Sequence, residues 1–240
     1  MKRRSLLGAV GTGVSIGITG CIGFGPATET AEQETQLRLT DSELSASTLQ
    51  STVDDIRERY GRVGVWGTTE TEPNHELGFQ AAWTDTLTHE AGGRSDHLIA
   101  FYRLPPGPDG QAAAQVWLWS GFDPEAAGTV RRIETGISLP TETGSLGIYS
   151  PAQDISASDV SEYAIESGRL DTATIGATMP LSSGRIGVDE ATQIGSGGAY
   201  YPFWTGEIDT IQSLIGTTEI RWPAGTDRRV DWSVTMETMA

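Results

Sequence analysis

One helix is predicted near the start of the globular part of the chain. Its apolar residues repeat at steps of four, three and four, which places them on one face: Leu49, Val53, Ile56 and Tyr60. Ser47 is positioned to cap the start of this helix, and Gly61 is positioned to end it. Asp55 and Arg59 stand one turn apart and can pair. A second, shorter helix is predicted for residues 159–167.

Most of the remaining chain alternates between apolar and polar residues, the pattern of antiparallel strands. The clearest period of two runs through residues 77–88. Two hairpins are predicted where strand-like segments flank turn-rich sequence: residues 98–104 with 113–120, and residues 220–222 with 230–236. Shorter strands are predicted at residues 62–66, 130–139, 146–149 and 173–179. The fold class predicted is α+β, mainly antiparallel β (a twisted sheet or sandwich), with one long N-terminal helix and one short helix packed on it.

A short motif occurs twice in the strand-like part of the chain. Trp119-Ser120-Gly121 and Trp204-Thr205-Gly206 share a Trp–small–Gly core, and each follows a strand-like segment. The two copies are explained either by chance over so few residues or by two stacked α-plus-β halves.

The N-terminal segment has the features of an export signal. A basic start at Lys2 is followed by an uncharged, largely apolar stretch from Ser5 to Gly20 and then by Cys21. This stretch is shorter than the roughly 20 apolar residues that a membrane-spanning helix needs. Residues 1–20 are therefore predicted to be a signal peptide rather than a transmembrane anchor.

Two short motifs within this segment resemble known targeting signals. The adjacent Arg3 and Arg4, followed by two leucines, resemble a twin-arginine signal, which implies export of a folded protein. Ile18-Thr19-Gly20-Cys21 resembles a lipobox, which implies that Cys21 receives a lipid and becomes the mature N-terminus. The two resemblances predict a lipoprotein on the outer face of the cell membrane.

The charge balance of the mature chain is strongly acidic. After Cys21 there are 13 arginines, no lysine and all 32 acidic residues, so the formal charge is 13 − 32 = −19. Such self-repulsion opposes a compact state in dilute buffer, but at about 1 M salt the screening length falls to about 3 Å. This composition resembles that of haloarchaeal proteins. Nucleic acid is excluded as a partner, because phosphate binding needs a basic face.

The sequence after Cys21 divides into a spacer and one domain. Residues 21–36 are acidic, Thr-rich and poor in large apolar residues, which predicts an extended tether behind the lipidated cysteine. Residues 37–240 contain no further linker and are predicted to form a single β-rich domain. Cys21 is the only cysteine, so this domain folds without disulfides.

Aromatic side chains are the first candidates for a ligand-binding surface. Two of them stand close together in one predicted strand and two more follow a Gly-rich loop: Trp117, Trp119, Tyr201 and Trp204. Aromatic platforms bind hydrophobic ligands and sugar rings. The alternative is that these rings pack in the core, where aromatic residues dominate the energetics.

A metal site is the second candidate, and it lies in one predicted loop. His89 and His97 flank this loop, and Glu90 and Asp96 stand between them, so two imidazoles and two carboxylates can face a divalent ion. The alternative is a solvated polar turn. No catalytic residue and no cofactor are predicted, because no nucleophile or carboxylate pair stands out among so many acidic residues.

The leading functional hypothesis is a noncatalytic, membrane-anchored extracellular module that binds a small ligand or an envelope-protein partner. The membrane itself is contacted through the lipid on Cys21. A hydrolase or metal-dependent surface enzyme, and a purely structural surface protein, are the alternatives.

Overall fold

The computed structural model describes residues 28–60, 78–88, 93–107, 110–124, 129–140, 143–166 and 176–239. The described part contains one α-helix, α1 (Ala46–Tyr60), preceded by a short 3₁₀ turn (Leu39–Asp41). The strands, in chain order, are β1 (Thr28–Arg38), β2 (Gly78–Thr88), β3 (Arg94–Leu104), β4 (Ala112–Asp123), β5 (Thr129–Ser138), β6 (Ser145–Ser150), β7 (Ile155–Ser156), β8 (Glu162–Glu166), β9 (Gly176–Pro180), β10 (Arg185–Val188), β11 (Gly195–Ser196), β12 (Ala199–Tyr200), β13 (Pro202–Ile208), β14 (Gln212–Trp222) and β15 (Arg229–Met239).

The strands form two large sheets and a small ribbon. Sheet A has the order β1-β15-β5-β13-β10-β7, with β12 also paired to β5, and sheet B has the order β11-β6-β14-β4-β3-β2. Within the described residues, strands β8 and β9 pair only with each other. All pairs named within the described residues are antiparallel, which confirms the predicted β-rich, mainly antiparallel class.

The two large sheets pack face to face around the core. A Cβ placed on Gly216 of β14 would lie 2.7 Å from the ring of Pro202 and 3.0 Å from that of Tyr200, so only glycine permits this approach between sheets B and A. The opposite face of sheet B is covered as well: the Tyr60 ring of α1 packs edge-on against Trp119, with the ring centroids 5.0 Å apart. Sheet B is thus covered on both faces, which is why β4 is apolar on both sides.

The predicted apolar stripe is the buried side of α1. Leu49, Val53, Ile56 and Tyr60 are the buried residues of this helix. Its cap is Ser45 rather than the predicted Ser47, because the Ser45 hydroxyl accepts the Thr48 backbone N–H at 3.1 Å. Gly61 lies outside the described residues. No helix in the described part of the chain is long and apolar enough to cross a membrane.

The helix predicted for residues 159–167 is wrong. The segment contains strand β8, which pairs with β9, and Val160 is exposed rather than buried. Tyr163 and Ile165 are the buried residues of β8, at a spacing of two. Over so few residues, a spacing of two and a helical spacing select overlapping sets of apolar positions, and the pairing with β9 decides in favour of the strand.

The predicted boundary between tether and domain also differs from the structure. Residues 28–36 of the proposed tether lie in β1, which pairs with β15 along its whole length, from Thr28 opposite Met239 to Arg38 opposite Arg229. Amino-acid composition describes only the side chains of this segment. Strand pairing uses backbone groups, so an acidic, Thr-rich segment can join the edge of a sheet whose neighbouring strand supplies the buried residues.

The predicted hairpins have different outcomes. Strands β3 and β4 pair with each other, which confirms the first hairpin. The second is wrong, because β14 lies in sheet B and β15 in sheet A, so the chain crosses between sheets through residues 223–228. The shorter predicted strands correspond to β5, β6 and β9. The segment 62–66 lies outside the described residues.

Candidate functional site

The aromatic residues predicted to bind ligand lie mostly in the core. Trp117, Trp119 and Trp204 are fully buried. Trp119 belongs to sheet B, whereas Trp204 belongs to sheet A and donates its indole N–H to the Ser183 carbonyl at 3.0 Å. Tyr201 is half-buried. The four rings therefore do not meet on one open surface, and the core alternative explains the three tryptophans.

The repeated Trp–small–Gly motif has a local packing explanation. A Cβ on Gly121 would lie 2.5 Å from the Trp119 ring, and a Cβ on Gly206 would lie 2.7 Å from the Trp204 ring. Residues two apart on a strand share a face. A tryptophan ring can therefore lie flat along the strand only where the residue two positions later lacks a side chain. The same local constraint accounts for both copies without an internal repeat.

The predicted metal constellation does not converge in the described residues. His97 and Asp96 are consecutive in β3, so their side chains lie on opposite faces of sheet B. His89 and Glu90 lie outside the described residues. The part of the chain that the structure describes contains no group of three or more His, Cys, Asp or Glu side chains placed to hold a metal ion.

His97 is part of a closed polar cluster inside the sandwich. The Ser95 hydroxyl lies 2.8 Å from Nε2 of its ring, and the Ser120 hydroxyl lies 2.7 Å from Nδ1. All three residues are buried. Burial lowers the pKa of His97 to about 3, so the ring is neutral at ordinary pH. This Ser–His pair has no access to a substrate.

A groove of about 570 Å³ lies between α1 and the edge of sheet B, and we call it the Asp96 groove. Its floor is Asp96 of β3, whose side chain is 14% exposed. The Oδ1 atom accepts hydrogen bonds from the Thr86 hydroxyl at 2.7 Å and from Nε of Arg94 at 2.8 Å. The Oδ2 atom accepts from the Tyr60 hydroxyl at 2.9 Å and from Nη1 of Arg59 at 3.2 Å. Arg59 thus pairs with Asp96 rather than with the predicted Asp55.

This network fixes the protonation of its members. Burial alone would raise the pKa of Asp96, but hydrogen bonds from Arg94, Thr86 and Tyr60 outweigh burial and lower it. Burial, and next the neighbouring Asp96 charge, raise the pKa of Tyr60. Asp96 is therefore ionised and its oxygens are fully used. The network ties the end of α1 to β2 and β3 and leaves no carboxylate oxygen free for a metal or a proton transfer.

A second cavity, of about 450 Å³, lies at the other end of β3, and we call it the Arg103 cleft. Its lining comes from the 3₁₀ turn after β1, the start of β2, the end of β3 and the crossing between the sheets: Leu39, Thr40, Phe79, Gln80, Arg103, Thr226, Asp227 and Arg228. The Leu39 N–H donates to the Arg228 carbonyl at 3.1 Å, which holds the end of β1 against the crossing. Gly225 turns that crossing with φ +77°, a conformation that glycine adopts without strain.

Several polar groups of the Arg103 cleft lack a partner within the described residues. The guanidinium groups of Arg103 and Arg228 make no ion pair there. Gln80 stands at a bulge of β2, and its buried Oε1 accepts no hydrogen bond from the described part. Asp227 is already paired with Arg229 at 2.6 Å.

The Arg103 cleft is not visible in any local sequence pattern. Arg103 and Arg228 are far apart in sequence, and Arg228 follows a segment that was interpreted as a hairpin turn. The adjacent Arg228 and Arg229 are not a specific signal, because Arg131 and Arg132 are adjacent too and do not line this cleft. A comparison with protein-family models finds no match, and a search of curated proteins finds none either.

Proposed function

We propose that this protein is a membrane-anchored extracellular lipoprotein whose sandwich domain is a noncatalytic module that binds a ligand in the Arg103 cleft. The observation that carries the proposal is the set of unpartnered polar groups in this cleft. A buried acceptor without a hydrogen bond costs about 1 to 3 kcal/mol, and a bound ligand can recover part of that cost. The Asp96 groove has no comparable vacancy, because its central carboxylate is fully hydrogen-bonded.

The anchor is proposed from the lipobox-like sequence ending at Cys21. Only six residues lie between Cys21 and the first residue of β1, Thr28, and the seven Cα–Cα steps span at most about 25 Å. Strand β1 then runs about 33 Å to Arg38, next to the cleft. With the lipid in the membrane, the near end of β1 would face the bilayer and the cleft would open away from it.

The noncatalytic role is proposed from two positions in the described residues that carry potentially catalytic side chains, the His97 cluster and Asp96. The one Ser–His cluster among the described residues is sealed inside the sandwich. Asp96 is held ionised by its donors, and each of its oxygens already accepts two hydrogen bonds. Neither position offers a nucleophile or a general base to a bound substrate.

Two experiments test the proposal. Cys21→Ala should release the protein from the membrane fraction, and continued membrane association would contradict the lipid anchor. For binding, the full chain is purified from a halophilic host in about 2 M NaCl, where surface charge is screened. It is then denatured, and the released small molecules are identified by mass spectrometry.

The matched variants for the binding experiment change two arginines each. The wild type should release a compound that the R103Q/R228Q variant does not retain. The control R131Q/R185Q, which changes two exposed arginines of sheet A, should release the same compound as the wild type. A compound retained equally by all three proteins, or by none, would contradict binding in the cleft.

A further inference from the structure

The arginines of the described part divide into two groups. Nine of the eleven lie within 4.0 Å of a carboxylate: Arg38, Arg57, Arg59, Arg94, Arg131, Arg132, Arg185, Arg221 and Arg229. The remaining two are Arg103 and Arg228, and both line the Arg103 cleft. In a chain with twice as many acidic as basic residues, an arginine without a carboxylate neighbour is the exception.

The cleft is also locally positive. Arg38 and Arg229 both contact Asp227, at 3.9 and 2.6 Å, so this one carboxylate is shared between two guanidinium groups. Asp41 accepts a hydrogen bond from the Thr40 hydroxyl at 3.0 Å at the rim. The charged residues that line the cleft are Arg103, Arg228 and Asp227, a formal charge of 2 − 1 = +1, while the mature chain as a whole is strongly negative.

We infer that the Arg103 cleft binds a small molecule through an oxyanion group, a carboxylate, sulfate or phosphate, held by Arg103 and Arg228. This inference rests on the proposed function and names the class of ligand. The planar guanidinium fork matches the paired oxygens of an oxyanion and forms two parallel hydrogen bonds with it. Chloride, the abundant anion of brine, is spherical and cannot satisfy both prongs of a fork in this way.

Gln80 and the volume of the cleft give the second feature of the ligand. About 450 Å³ exceeds what a bare inorganic anion fills, so the oxyanion is expected to be part of a larger molecule. Gln80, whose buried Oε1 has no partner in the described part, lines the same cleft, and rotation about its soft terminal torsion can turn this oxygen towards a hydroxyl or amino group of that molecule.

Equilibrium dialysis of the full chain in about 2 M NaCl tests the inference, with salt high enough to suppress nonspecific attraction. Radiolabelled sulfate probes the oxyanion contact alone. Radiolabelled glucuronate and glucose form a matched pair that differs in one carboxylate. We expect the wild type to bind sulfate, and to bind glucuronate at least about tenfold more tightly than glucose, since a charge-assisted pair contributes that much. The R103Q/R228Q variant should lose at least about tenfold in affinity for both anions, and R131Q/R185Q should lose nothing.

Three results would overturn the inference. The first is that the wild type binds neither sulfate nor glucuronate. The second is that the wild type binds glucuronate and glucose with equal affinity. The third is that R103Q/R228Q binds both anions as tightly as the wild type does. Because Arg103 and Arg228 are exposed, the double variant should fold, and an unchanged unfolding midpoint verifies this. Suppose that neither anion binds, but that the wild type releases a neutral or cationic compound that R103Q/R228Q does not retain. The oxyanion inference is then wrong, whereas the proposed function is supported.

Discussion

The two cavities at opposite ends of β3 differ in how their charges are satisfied. Asp96 and Arg103 stand seven residues apart, which is about 23 Å along the strand. At the first end, one carboxylate receives hydrogen bonds from two arginines, a threonine and a tyrosine. At the second end, the guanidinium groups of two arginines donate to no carboxylate within the described residues. The first cluster therefore contributes to folding, whereas the fold leaves the charges of the second cluster without partners.

The comparison is first tested by removing one carboxylate from each end. Asp96→Asn should destabilise the protein by about 2 to 3 kcal/mol, because it removes the charge of a carboxylate that is only 14% exposed and pairs with both Arg59 and Arg94. The matched change Asp227→Asn should cost less than about 1 kcal/mol, because that carboxylate is 42% exposed. Urea unfolding at constant high salt measures both. Equal losses would contradict the contrast between the two ends.

The closed cluster around His97 predicts a pH dependence. The unfolded ring binds a proton below pH 6.5, but the folded ring does so only near pH 3, so the unfolded state holds the extra proton between these values. Stability should therefore fall as the pH drops through this window, by up to about 1.4 kcal/mol per pH unit from this group. Unfolding of the wild type and of His97→Gln, measured from pH 7 to about 4, isolates the effect. If the free energies of unfolding of the two proteins changed with pH in parallel, the result would contradict the conclusion that the buried His97 ring is neutral.

A smaller change tests the hydrogen bonds of the Asp96 groove without removing charge. Tyr60→Phe deletes the hydroxyl that donates to Asp96 at 2.9 Å and keeps the ring against Trp119. The free energy of unfolding should fall by about 1 kcal/mol. Tyr149→Phe, on a ring of β6 stacked against Tyr200, is a control for loss of a tyrosine hydroxyl elsewhere. A loss no larger than that of the control would indicate that the Asp96 network does not depend on Tyr60.

The smallest expected effect on stability is at the Arg103 cleft itself. The R103Q/R228Q variant should unfold within about 0.5 kcal/mol of the wild type, because neither side chain makes an ion pair in the described part and both are exposed. Thermal unfolding without added ligand measures this. A decrease in the free energy of unfolding of more than about 1 kcal/mol would show that these arginines stabilise the fold and are not reserved for ligand binding.

The parts of the fold that local patterns determine could be predicted from the sequence. The stripe of α1 and the alternation of β2 depend on neighbours within a few residues, so periodicity reveals them. Alternation shows that β14 and β15 are strands but not that they belong to different sheets. Strand β1 escaped prediction because its place in sheet A depends on backbone pairing with β15, at the far end of the chain.

The candidate sites depended on long-range contacts that no local pattern contains. Arg59 meets Asp96 across 37 positions, which displaced the nearby partner expected for it. The sequence is compatible with Trp119 as a ligand-binding ring or as a core residue. The packing of Tyr60 against Trp119 shows that this face of sheet B is covered, which identifies Trp119 as a core residue. Arg103 and Arg228 come together only because the chain crosses between the sheets, and the crossing was the part of the topology that the sequence did not reveal.

The most direct test of the account compares sulfate binding by three proteins under identical high-salt conditions. The wild type and Tyr60→Phe should bind radiolabelled sulfate with the same affinity, and R103Q/R228Q should bind it at least about tenfold more weakly. That result would place recognition at the Arg103 cleft and stability at the Asp96 groove. Sulfate binding that is lost in Tyr60→Phe and kept in R103Q/R228Q would contradict the account, because it would reverse the roles of the two ends of β3.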